Sequence, residues 1–201
     1  MDYLCYNLSA IAASADDIRL LDAGEQEAYK RRGATFLKVR SLLKRELARR
    51  LNCAPETIRL EHSPHGKPYL PGNPVHFNLS HSGDLLCIAF DRSPVGIDIQ
   101  QLRPRSATPA LARRIMCPQQ FDEWIQRGKS IDDFFVCWCA AESLVKQAAT
   151  TIWQALDYPF LYRNGHIVPL FEQAPQTRLF TPSDGYFGAV SAINPDLSEQ
   201  S

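Results

Sequence analysis

The feature that most constrains the fold is an order of elements that occurs twice along the chain. Residues 3–11 (YLCYNLSAI) are apolar and aromatic-rich and predict a strand. Residues 16–51 follow with helical spacing, Phe36, Leu37, Leu43, Leu47 and Leu51 falling near one face. Residues 61–76 (EHSPHGKPYLPGNPVH) hold four prolines and two glycines and are expected to be loop or turn, because proline offers no donor to a ladder. Val75 to Ser80 and Leu85 to Phe90 then read as a hairpin closed by Ser80-His81-Ser82-Gly83-Asp84. After a turn at Asp91-Arg92-Ser93-Pro94 the order starts again. A strand at Val95 to Gln100 leads into a Pro/Arg/Ala-rich stretch, a short amphipathic helix at 119–128 and a longer one at 131–149. Phe134, Trp138, Ala141, Val145 and Ala148 give that longer helix an apolar stripe. Short strands fill 158–193, separated by Asn164-Gly165, Ala174-Pro175 and Asp184-Gly185 turns. No residue-level identity supports a repeat. The order nevertheless predicts an α+β chain of two pseudo-symmetric halves, 1–94 and 95–201. Each would be a small, mostly antiparallel sheet packed with a long helix, with a site between them.

Composition removes other classes. At 201 residues, 45% hydrophobic and 22% charged, the chain is globular rather than disordered, collagen-like or coiled-coil. A chain of this size should bury roughly 70% of its unfolded surface without a metal or disulfide staple. The 22 Lys and Arg cancel the 22 Asp and Glu, which argues against a nucleic-acid binder relying on bulk charge. The longest apolar run, Phe134 to Ala141, is far too short to span a membrane, and the first residues lack the basic flank of a secretory signal. The expectation is a cytoplasmic protein whose six cysteines (5, 53, 87, 117, 137, 139) are reduced thiols packed as small hydrophobes. No CxxC pair suggests zinc.

Four local features could carry chemistry. Nine basic residues and one acid, Glu46, lie between Lys30 and Arg50, forming either a solvated helix face or an anion-binding one. Asp98 interrupts the apolar strand Val-Gly-Ile-x-Ile, so it either faces water on an edge strand or is buried and must pair, titrate or bind a metal. Glu142 and Lys146, four apart on an unusually apolar helix, form either a surface ion pair or part of a cleft. Gly66-Lys67-Pro68 and Ser80-His81-Ser82 offer a positioned ammonium, hydroxyls and an imidazole, all suited to phosphate oxygens. No nucleophile elbow, P-loop or Rossmann fingerprint is present.

These blocks occur in a telling order. Arg40 lies in a basic helix, followed by His65-Gly66-Lys67-Pro68, Phe77-Asn78-Leu79-Ser80-His81-Ser82-Gly83 and Val95-Gly96-Ile97-Asp98. Phe134-Phe135-x-x-Trp138-Cys139-x-x-Glu142-Ser143-x-x-Lys146 completes the series. The series resembles the 4′-phosphopantetheinyl transferases, in their longer, two-halved, surfactin-synthetase-type branch, over about residues 30–150. The resemblance implies Mg²⁺-dependent transfer of the phosphopantetheine arm of coenzyme A to a serine of an apo acyl or peptidyl carrier protein, releasing adenosine 3′,5′-bisphosphate. It implies Asp98 and Glu142, with Gln100, as the magnesium ligands, and Glu142 as the group that helps deprotonate the serine. Lys146 would offset phosphate charge, and Arg40, Lys67, Ser80 and His81 would hold the nucleotide phosphates. Two fused halves imply a monomer. The acidic carrier would dock on the basic helix and the region 103–128, which includes Arg113.

Two positions depart from the family pattern. Gln100 stands where a second acid is frequent, so metal affinity should fall. Ala141 stands where a lysine usually precedes the helix glutamate, which should remove a charge from beside the diphosphate at a cost of about 1.5–3 kcal/mol. These departures motivate the alternative of an impaired homologue that only binds coenzyme A or a related nucleotide.

Overall fold

A computed structural model of the chain describes residues 1–102 and 109–193. In chain order its elements are β1 (Asp2–Asn7), α1 (Ala15–Arg19), α2 (Ala23–Leu51), β2 (Glu61–His62), β3 (Pro68–Tyr69), β4 (His76–Ser82), β5 (Leu85–Asp91) and β6 (Val95–Gln101). There follow α3 (Pro109–Ile115), α4 (Pro118–Gln126), α5 (Ile131–Gln147), β7 (Phe160–Arg163), β8 (His166–Pro169), β9 (Gln176–Phe180) and β10 (Tyr186–Ala192). The fold is α+β with small antiparallel sheets. One three-stranded sheet has the order β1-β5-β4 and another the order β6-β10-β9, so the last strand of each group lies in the middle. Two two-stranded ribbons, β2-β3 and β7-β8, flank them.

Strand alternation decides which side chains meet. On β5, Leu86, Ile88 and Phe90 join Leu43 and Leu47 of α2 in one core. The intervening Cys87 and Ala89 meet Val95, Ile97 and Ile99 of β6 and Val190 and Ala192 of β10 in a second. The other face of the second sheet packs on α5, whose Phe134, Phe135, Ala140, Ala141, Leu144 and Val145 share a third core with Trp124 and Ala189. The resulting layers are α2, sheet, sheet, α5. Gly96 permits the closest approach between β6 and α5, because a Cβ there would collide with the backbone of Ser143 and Gln147.

Local sequence chemistry corrects several expected boundaries. The first strand ends at Asn7, whose side chain caps a 3-10 turn at Leu8–Ala10. The helix expected over 16–51 is divided. Ser14 with Asp17, and Asp22 with Glu25, form two complete capping boxes, so α1 ends and α2 begins around Leu20–Asp22. Gly33, at φ +74°, then breaks the helical path inside α2. The proline-rich stretch is not wholly loop, since Glu61–His62 pairs with Pro68–Tyr69. A ribbon two residues long tolerates a proline at its edge. Residues 103–108, part of the expected docking region, lie outside the described residues.

The cysteine expectation also needs correction. Cys5 and Cys87 are directly opposite in the β1–β5 register, with Cα atoms 4.2 Å apart, and are joined by a disulfide. Side chains come closest at such a cross-strand pair. Cys53 is exposed, whereas Cys117, Cys137 and Cys139 are free, buried thiols. No helix among the described residues is long and apolar enough to cross a membrane.

Candidate active site

The site begins at a strand edge that, among the described residues, has no backbone partner on one side. β6 pairs with β10 along one edge, and along the other it meets β4 through side chains. The N–H groups of Ile97, Ile99 and Gln101 donate to Asn78 Oδ1 (2.9 Å), Ser80 Oγ (3.3 Å) and Ser82 Oγ (3.0 Å). Alternation on β4 makes this possible, because Phe77 and Leu79 face the α2 core and the intervening polar residues face β6. An unpaired strand edge would otherwise carry unsatisfied donors into the interior.

Asp98 sits on this seam with only 2% exposure, so it is the buried alternative and not an edge residue facing water. Its Oδ1 accepts from Ser80 Oγ at 2.8 Å and from Lys146 Nζ at 2.6 Å, and its Oδ2 accepts from Gln100 Nε2 at 3.1 Å. Lys146 also donates to Ile97 O at 3.3 Å and lies 3.9 Å from Glu142 Oε2. The helical i,i+4 spacing thus places one ammonium between two carboxylates supplied by a strand and a helix. Burial opposes the charge on Lys146, but Asp98 and Glu142 outweigh it and hold the ammonium above the ordinary lysine range. Burial raises Glu142 above the usual glutamate range, Asp98 adds to that rise and Lys146 opposes it. Beside this cluster the Cys139 thiol is pushed far up, first by burial and then by the Asp98 charge. Such a thiol is inert.

Several cations in the basic stretch of α2 are paired within the molecule, although Lys30, Arg31, Arg32, Arg45 and Arg49 remain exposed. Lys44 is 0% exposed, 2.5 Å from Glu25 Oε2, and donates to Leu20 O. Arg45 binds Asp17, Arg49 and Arg50 bind Glu46, and Lys38 donates to Leu8 O. Arg40 is the exception. It lines a cleft of about 400 Å³ together with Arg32, Phe36, His62, Gly66 and His81. Both guanidiniums lie over the Phe36 ring, at 4.9 Å for Arg32 and 5.4 Å for Arg40. Arg40 Nε is 3.3 Å from Glu25 Oε1, too poorly aligned for a hydrogen bond, and Arg40 Nη1 is buried without a hydrogen-bond partner among the described residues. Burial, with the neighbouring Arg32 charge, pulls the Arg40 pKa below its ordinary value while Glu25 supports it. A cleft with two guanidiniums, two imidazoles and an unsatisfied buried donor has the chemistry of an anion subsite.

The residues singled out from sequence therefore divide into three places. Asp98, Gln100, Glu142, Lys146 and Ser80 come together on the seam. Arg40 and His81 share the cleft on the α2 side of β4. Lys67 joins neither: its Nζ donates to Val95 O at 2.9 Å and Lys146 O at 2.6 Å, while its neighbours Gly66 and Pro68 line the cleft. Ala141 is 1% exposed and packed in the α5 core. Sequence reasoning missed Glu25, and it named Asn78 only within a motif block and Ser82 as a phosphate-facing hydroxyl, neither as an acceptor for the edge of β6. Glu25 was signalled by the Asp22-x-x-Glu25 capping box, and the other two by the polar alternation of β4.

Two hard carboxylates and an amide oxygen suit Mg²⁺, which commonly takes one or two protein carboxylates with waters and phosphate oxygens. Among the described residues no group of three or more His, Cys, Asp or Glu could hold a metal alone. A pair of carboxylates completed by a phosphate-bearing substrate does fit the donor set.

Residues 94–184, which carry Asp98, Glu142 and Lys146, match the model of the 4′-phosphopantetheinyl transferase superfamily. The chain is 30% identical over 167 residues to a 4′-phosphopantetheinyl transferase of Bacillus subtilis, covering 79% of this chain and 73% of that protein. It is 30% identical over 166 residues to the transferase Sfp of B. subtilis strain 168, with the same shares covered. To the transferase AcpT of Escherichia coli K12 it is 32% identical over 122 residues, covering 59% of this chain and 61% of that protein.

Proposed function

The chain belongs to the 4′-phosphopantetheinyl transferase superfamily, and from that premise we propose that it moves the phosphopantetheine arm of coenzyme A to a serine of an apo acyl or peptidyl carrier protein, with Mg²⁺, releasing adenosine 3′,5′-bisphosphate. The observation that carries this reading is the Asp98–Lys146–Glu142 cluster on the seam, within a molecule that also has a basic cleft lined by Arg40 and His81. Phosphoryl transfer needs positioning and charge neutralisation more than covalent participation by the protein.

Each group has a task in this mechanism. Arg40, with its free nitrogen, and His81 bind nucleotide phosphate, and the adjacent Arg32 strengthens the local positive field. Lys146 orients both carboxylates and offers its charge to the diphosphate. Glu142, half-buried and held above the usual glutamate range, accepts the serine proton directly or through a water. Asp98 and Glu142, with Gln100 at the rim, would hold Mg²⁺, which when bound supplies positive charge at the diphosphate oxygens. Ser80 fixes Asp98. The seam is also the boundary of the proposed halves, 1–94 and 95–201, a division supported by the matching strand orders of the two sheets. We read the working unit as a monomer. On the second half, Arg114 lies 5.0 Å from the ring of Trp153, which is 67% exposed. That apolar and basic surface suits the acidic carrier. The alternative, an impaired homologue that only binds coenzyme A or a related nucleotide, rests on Gln100 and Ala141.

The deciding experiment is incubation with coenzyme A, Mg²⁺ and a panel of apo carriers, read by intact mass. Wild type should add one phosphopantetheine per carrier. Asp98→Asn and Glu142→Gln should each slow transfer by about 10²–10⁴-fold while their thermal transitions remain cooperative. Full labelling by both variants would remove these residues from the mechanism.

A further inference from the structure

Of the cations expected to contact phosphate, Lys67 alone lies in neither the cleft nor the acid cluster, and its placement has a consequence for both. Its backbone is fixed in the β2–β3 turn: Lys67 N donates to Ser63 Oγ at 3.1 Å, and Ser63 N donates to Lys67 O at 2.9 Å. On either side Gly66 and Pro68 wall the cleft that holds Arg40 and His81. The side chain leaves in another direction and lines a separate cavity with His76, Pro94 and Gln147. There its ammonium bridges the carbonyl of Val95, the first residue of β6, and that of Lys146, in the last turn of α5. The second carbonyl belongs to the negative end of the helix dipole, where a cation is favoured. Burial and the Lys146 charge bring the Lys67 pKa down to about 8, so the group holds its proton at neutral pH.

The geometry points to Lys67 as a positioning residue rather than a phosphate ligand. It ties the wall of the anion cleft to the strand that carries Asp98 and the helix that carries Glu142 and Lys146, fixing the nucleotide subsite relative to the reacting groups. Its partners are 28 and 79 positions away in sequence, and no other side chain among the described residues donates to both carbonyls. Misplacement of reacting groups by about 1 Å can cost on the order of 10²-fold in rate. A lost clamp should therefore appear in kcat.

This inference rests on the transferase reading, and two independent readouts keep the two separable. In Lys67→Met, hydrogen exchange of amides in β6 and the last turn of α5 should be faster than in wild type. With a carrier that wild type labels, kcat should fall about tenfold with the coenzyme A KM within about twofold, and Lys67→Arg should recover most of the loss. Unchanged exchange overturns the clamp, as does a raised coenzyme A KM with kcat preserved, because that result would mark a direct phosphate contact. A wild-type protein that transfers to no carrier defeats the transferase reading, and the exchange comparison still decides the clamp. Should Lys67→Met be insoluble, Lys67→Gln, with its shorter donor, replaces it in both measurements.

Discussion

Glu142 shows how one residue can be held in a state that costs the fold. A carboxyl whose folded-state pKa lies above its unfolded value binds its proton more tightly when folded. Its stabilising contribution is complete below the unfolded pKa and is lost as the pH rises through the folded one. At neutral pH the ionised, half-buried Glu142 is therefore a burden, consistent with a group retained for proton transfer. Glu142→Gln should raise Tm at pH 8 by on the order of a degree or two, a gain that shrinks toward zero below about pH 4, where the wild-type carboxyl is protonated in both states. Paired thermal scans across that range check it, and a lowered Tm at pH 8 would show that the carboxylate is structural. Residues of this kind were only half legible. Asp98 was conspicuous as a charge in an apolar strand, but its partner could not be read, because Lys146 approaches it from 48 positions away. Glu25 and Lys44 were hidden for a different reason: they form a buried ion pair in a stretch whose charge density resembles a solvated face.

At the scale of elements, the long apolar helix, the β4–β5 hairpin and the β6 strand followed directly from periodicity, because burial on one face imposes period 3.6 or 2. The breaks did not. Gly33 stands in a stretch of otherwise good helix formers, and only its positive φ shows that the path turns there. The disulfide was equally unreadable, since it depends on β1 pairing with β5 in one register, and a one-residue slip would send Cys5 and Cys87 to opposite faces. Its effect on stability is testable. Closing a loop between positions 82 apart restricts the unfolded chain by about 4–5 kcal/mol in the chain-entropy model. Reduction with excess thiol, or the Cys5→Ala variant, should therefore lower Tm by on the order of 10 °C. Equal transitions with and without reductant would show that β1 is held by its backbone ladder and core contacts alone.

At the scale of the whole molecule, the layers determine whether the site can exist at all. The groups proposed for the site come from both sides of the seam, Ser80 from β4 and Asp98 from β6, so their geometry persists only while the two sheets stay packed. That packing is the middle core, in which Cys87 and Ala89 meet Val95, Ile97, Ile99 and Val190. A shared core should make the two proposed halves unfold together, even though each has its own helix and hydrophobic cluster. The sequence offers a convenient pair of probes, because all three tryptophans, Trp124, Trp138 and Trp153, fall in the second half. Fluorescence therefore follows one half, while amide exchange in α2 follows the other. Ile97→Ala, at a fully buried position in the middle core, should cost about 2–5 kcal/mol, lowering the fluorescence midpoint and the α2 exchange protection by the same free energy. Transfer should weaken in the same variant, since the Ile97 N–H that Asn78 accepts lies next to Asp98. If the tryptophan transition moves while α2 protection does not, the halves are thermodynamically separate and the site between them is assembled only when substrate binds.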